Sequence, residues 1–72
     1  QTKYFVGEDD GMVVIYQGVQ QNVGPFALST PVEDTGIALD ELPLFLQQSV
    51  EDTLPADNLD EARTIVKRLT RE

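Results

Sequence analysis

The spacing of apolar positions changes once along this chain, from a strand-like period to a helix-like one. Near the start, YFVGEDDGMVVIYQGV (residues 4–19) holds two apolar runs separated by Glu8, Asp9, Asp10 and Gly11. Val, Ile, Tyr and Phe dominate both runs, which suits a pleated, half-buried surface. They predict strands over 2–7 and 11–17. Gly11 can take the positive φ of a tight turn, and Asp9 and Asp10 suit its corners, so the two strands read as a hairpin. Alternation puts Tyr4 and Val6 on one face of the first strand and Phe5 on the other. In the second, Met12, Val14 and Tyr16 share one face and Val13 and Ile15 the other. Every position from Met12 to Tyr16 is apolar, the pattern of a strand covered on both sides.

Gly18 is read as the end of the second strand, and residues 20–25 as a polar connection. A third strand is predicted near 26–30, with Phe26, Leu28 and Thr30 facing one way and Ala27 and Ser29 the other. Pro31 has no N–H and belongs at an edge or an end. Residues 33–39 read as a loop pinned to the core by Ile37 and Leu39. The period then lengthens. Leu42, Phe45, Leu46, Val50 and Leu54 recur at three- and four-residue spacing, predicting a helix over 42–54 with Asp40 as cap, Pro43 in its first turn and Pro55 as its stop. Asn58 and Glu61 resemble a capping box ahead of a second stripe, Leu59, Ala62, Ile65, Val66 and Leu69. Asp60 and Glu61 open that helix, and Lys67, Arg68 and Arg71 lie near its end, in the order the helix dipole favours. The short link around Asp57 implies antiparallel helices. The expectation is one α+β domain over residues 1–72: a three-stranded antiparallel sheet, hairpin first, with two C-terminal antiparallel helices on one face.

Two helices on one face leave the other face of Met12–Tyr16 to be explained. That face is expected to be covered by residues 19–25 and 33–39, or by another molecule, because an open apolar surface is a liability in a monomer. Tyr4, Val6, Val14 and Tyr16 make the larger apolar set and are assigned to the core. Phe5, Val13 and Ile15 are assigned to the surface that meets a partner, a second copy of the chain included.

Composition narrows the chemistry. Hydrophobic residues make up 40% of the 72, enough for a folded core. Thirteen acids against 5 bases give a net charge of −8, which argues against nucleic acid and against an anionic membrane as partners. There is no Cys, hence no disulfide or thiolate metal site, and no His, the commonest general base. No run approaches the ~20 apolar residues of a membrane span. The chain starts at Gln1 without a methionine, so we expect it to be cut from something longer.

Three groups of residues are candidates for chemistry. Glu8, Asp9 and Asp10 are oxygen donors but lack the spacing of a calcium loop, and a solvated turn is the plainer reading. Residues 33–57 carry seven acids and no base. Carboxylate pairs can hydrolyse glycosides, but they need a deep cleft that so short a chain has little room for. The stretch reads instead as a solvated acidic face, or as a surface that steers a basic partner. Ser29 and Thr30 have no His to activate them. Neither a catalytic, a metal nor a cofactor site is therefore assigned.

Taken together, YFVGEDDGMVVIYQGV, FALSTPVEDTGIALDELP and LDEARTIVKRL resemble the C-terminal extracytoplasmic domain of actinobacterial membrane-anchored, metal-dependent Ser/Thr protein phosphatases of the type 2C class. The resemblance runs through Tyr4–Gly7, Val13–Gly18, Leu28-Ser29, Asp34–Ile37, Leu42-Pro43 and Leu59–Arg63. It implies a parent with a cytoplasmic catalytic domain using manganese or magnesium, one membrane helix before Gln1, and this small domain outside the bacterial membrane. On that basis the fragment is not an enzyme and inherits no catalytic residue. Its expected role is to sense, or to bind another protein or a cell-envelope component, within a signalling protein of cell-wall growth. The alternative is a cytosolic acidic interaction domain with no membrane link, binding a basic protein through residues 33–57.

Overall fold

The chain, seen in a computed structural model, is described over residues 3–23 and 26–70, the side chains of 19–29 excepted. Four strands form one antiparallel sheet: β1 (Tyr4–Asp9), β2 (Met12–Val23), β3 (Phe26–Ala38) and β4 (Leu54–Ala56). A 3₁₀ turn (Leu39–Glu41) and helix α1 (Leu44–Glu51) stand between β3 and β4, and helix α2 (Leu59–Leu69) follows β4. The sheet order is β3-β2-β1-β4, so the first strand lies inside the sheet. The architecture is α+β with two helices, as expected, but with a fourth strand.

The hairpin is set by its loop. Asp10 and Gly11 both have positive φ, at 54° and 80°, the backbone of a two-residue turn whose twist matches that of the strands it joins. Glu8 ties the tip down by accepting a hydrogen bond from the Gly11 amide at 2.6 Å. The loop pairs Asp9 with Met12, and from there Val6 with Ile15 and Phe5 with Tyr16. Odd positions of β1 therefore share a face with even positions of β2.

Both later strands outrun their sequence-based limits. β2 continues through Gly18 and takes in residues 20–23, which were expected in a connection; Gly24 and Pro25 lie outside the described residues. Gly18 has φ 124° and sits where the β2–β3 register slips. Residues 33–38, expected as a loop, complete β3. They pair with β2 through bulges between Met12 and Val14 and between Ile15 and Tyr16. At the first bulge the Thr35 hydroxyl donates to the Val13 carbonyl at 2.8 Å and accepts from the Ile37 amide at 3.2 Å, standing in for part of the ladder. The pinning role of Ile37 and Leu39 holds: Ile37 packs on the core, Leu39 is buried, and the Leu39 amide donates to the Gly11 carbonyl at 2.8 Å.

The core lies between the sheet and the helices. Val6, Val13 and Ile15 of the sheet are fully enclosed and join Val50 of α1 and Ala62, Val66 and Leu69 of α2 in one cluster, with Leu42 and Ala56. α1 is shorter than its apolar stripe: it starts after Pro43 and stops at Glu51, and Leu54 belongs to β4. Asp40 falls in the 3₁₀ turn and caps nothing. α2 matches its sequence signals: the Glu61 amide donates to the Asn58 side-chain oxygen at 2.7 Å, and Glu61 in turn accepts from the Asp57 amide. Thr2 and Arg71, placed by sequence in the first strand and near the end of α2, lie outside the described residues. No helix among the described residues is long and apolar enough to cross a membrane.

Candidate functional site

The hairpin register separates the three residues assigned by sequence to a partner surface. Val13 and Ile15 face the helices and have 0% exposure, so they are core and meet no partner. Phe5 lies on the opposite face with Val14 and Tyr16. Val14 is buried, as its core assignment expects, but it and the half-buried Tyr16 lie on the face away from the helices: the helix-covered set is Val6, Val13 and Ile15, with Tyr4 packed against it. On the far face the Phe5 and Tyr16 rings stack, with centroids 4.9 Å apart and planes 13° from parallel. The Tyr16 ring also lies over Gly7, where an added Cβ would stand 3.3 Å from its edge, so glycine is what lets the ring fold down. Phe5, Gly7 and Val14 on this face are all buried. Whether residues 19–25 help to cover it is a question for side chains outside those described. Burial pushes the Tyr16 phenol up from its ordinary value, and the nearby carboxylates of Asp9 and Glu8 add to the shift.

Several acids have local structural partners. Asp34 accepts from the Gly36 amide at 3.0 Å and Asp57 accepts from Lys3 at 3.2 Å. Glu33 accepts from the Arg63 guanidinium at 2.9 and 3.1 Å, joining β3 to α2; that hydrogen bond, then the charge of Glu33, raises the Arg63 pKa. Among the described residues no group of three or more acids could hold a metal ion.

Three concavities are lined by described residues. A cleft of about 480 Å³ runs between the start of β1 and β4, with Lys3, Asp52 and Asp57 on its walls. A smaller one of about 250 Å³ sits over the Glu33–Arg63 pair. The third, about 470 Å³, lies between α1 and the end of α2, and its walls are mainly apolar: Leu42, Pro43, Phe45, Leu46 and Leu69, with Glu41 supplying the charge. Beside it stand the most exposed large apolar side chains described, Leu44 at 70% and Phe45 at 69%. Their exposure follows from the helix. Leu46 and Val50 share the inward face of α1, four residues apart, and three consecutive apolar residues cannot all share one stripe. Phe45, placed by sequence in the inward stripe, therefore turns outward. The run Leu44-Phe45-Leu46 was the signal for an outward-facing pair, and spacing alone, read without the helix start at Leu44, missed it.

Comparison with known protein families, with characterised proteins and with solved structures finds no match.

Proposed function

We propose that this chain is a non-catalytic protein-interaction domain whose contact surface is the apolar groove at the start of α1. The observation that carries the reading is the exposure of Leu44 and Phe45 beside that groove. Adjacent exposed apolar side chains on a small acidic domain mark a docking surface better than any other described feature does. The resemblance noted from sequence supports a setting: the extracytoplasmic side of a bacterial membrane, as part of a membrane-anchored Ser/Thr phosphatase that uses manganese or magnesium in a separate catalytic domain. The seven acids of residues 33–57 favour a second reading, a cytosolic acidic interaction domain with no membrane link.

The parent gene separates the two. A membrane span just before Gln1, preceded by a catalytic domain, supports the first; a parent without a span removes it. The non-catalytic part is tested on the pure domain. With manganese added, release of phosphate from a phosphopeptide or from p-nitrophenyl phosphate stays at background. Turnover that is abolished by mutating an acid of this chain would overturn it.

A further inference from the structure

We infer that the occupant of the α1 groove is a basic amphipathic segment of another protein, an inference that rests on the interaction reading above. The apolar half of the argument is geometric. Phe45, Leu46, Leu42, Pro43 and Leu69 wall a groove of about 470 Å³, and Leu44 stands exposed beside it, so an occupant must bring apolar anchors of its own. The charge half argues against the competing occupants. Glu41 sits in the groove wall and Asp40 is exposed next to it, while Glu51 and Asp52 stand exposed at the far end of α1. No basic residue lies between Glu33 and Asp57. Of the bases elsewhere, Lys3 and Arg63 are paired with Asp57 and Glu33, Lys67 lines the separate concavity over the Glu33–Arg63 pair, and Arg68 is exposed in the last turn of α2 next to Leu69 of the groove wall.

A lipid surface would accept Leu44 and Phe45, but an anionic one would repel this rim and a net charge of −8. A second copy of the chain docked on the same groove would set these acids against their own images. A segment with Leu-like anchors at helical spacing and Lys or Arg on its flanks satisfies both halves at once. Attraction between the acidic rim and such a segment also speeds encounter, in a salt-dependent way.

The test uses the pure domain and a designed peptide of about 15 residues with Leu on one helical face and Lys on the flanks. A scramble of the same composition and a Leu/Glu version serve as controls. Calorimetric titration is expected to show binding of the Leu/Lys helix, weakening with salt. Binding should fall by roughly tenfold or more in the Leu44→Ser/Phe45→Ser double variant, whose melting temperature stays close to wild type because both side chains are exposed. Asp40→Lys/Glu41→Lys should weaken the same peptide, and amide shifts should map to residues 41–46 and 69–70.

Equal binding of the scramble, or binding indifferent to Leu44→Ser/Phe45→Ser, would mean charge attraction alone and overturns the inference. If the Leu/Glu helix binds as well through Leu44 and Phe45, the basic partner is wrong while the interaction reading stands. If no peptide binds, the inference falls; a Leu44-dependent dimer in its place leaves the interaction reading standing, and uptake by phosphatidylglycerol vesicles instead removes that reading too.

Discussion

The two helices of this domain are built to different rules. α2 begins with an Asn58 side-chain cap, carries acids in its first turn and bases in its last, and turns Ala62, Val66 and Leu69 into the core. α1 begins after Pro43 with no side-chain cap, has neither acids in its first turn nor bases in its last, and leaves Leu44 and Phe45 in water. One helix has its local signals and its burial in agreement; the other is held by Leu46 and Val50 and by contacts beyond its own sequence. Where local signals and burial agree, a segment serves stability. Where apolar residues are left outside although the core has been filled, the surplus is available for binding.

Leucines at matched chemistry and opposite burial give the sharpest contrast. Leu69→Ala in α2 removes a side chain with 6% exposure and is expected to cost about 2–5 kcal/mol, enough to unfold much of so small a domain in a denaturant melt. A cost near zero would mean that α2 does not hold the core. Next comes the cap. Asn58→Ala leaves the Glu61 amide without its acceptor and should cost about 1 kcal/mol, read as a fall in melting temperature. No equivalent loss can be engineered at Pro43, which caps nothing with its side chain.

The third test reaches the sheet face that neither helix covers. The Tyr16 pKa is raised in the folded state, so folding favours the protonated phenol. The unfolded chain loses its proton first as pH rises past the ordinary tyrosine value of about 10, and stability should decline above that point. Tyr16→Phe should remove this alkaline component in pH-dependent melts and leave the rest of the profile unchanged. The smallest effect is expected for Leu44→Ala in α1, within about 0.5 kcal/mol of wild type, because that side chain is 70% exposed. A loss comparable with that of Leu69→Ala would erase the distinction between the helices.

What could be read from the sequence divides along the same line. α2 was legible because its cap, stripe and charge order are encoded within one stretch. The Asp10–Gly11 turn was legible for the same reason, and it also contained the register of the hairpin. A two-residue loop sets Phe5 opposite Tyr16, not beside Val13 and Ile15, and a shift of one position moves every side chain to the other face. Alternation alone groups Phe5 with Val13 and Ile15, and the loop separates them. β4 could not be read locally: Leu54-Pro55-Ala56 carries a helix stop and too few residues for a pattern, and it is a strand because β1 offers it an edge, with Tyr4 opposite Ala56 and Val6 opposite Leu54. The end of β3 was hidden in poor strand formers that are kept in the sheet by bulges and by the Thr35 hydroxyl. The apolar pair of α1 depended on where the helix begins.

The interior position of β1 has a consequence for the order of events during folding. Its pairing with β2 closes a loop of two residues and can form within microseconds. Its other edge must wait for β4, and the Lys3–Asp57 bridge beside that edge joins residues 54 positions apart. Closing so long a loop costs chain entropy before any contact offsets it. During that interval one side of β1 presents open backbone donors and acceptors, and its Val6 has no helical cover. A chain emerging from a ribosome would therefore carry a sticky, half-finished sheet until nearly the whole domain had been made, and slow synthesis would lengthen the period in which two such chains could pair with each other.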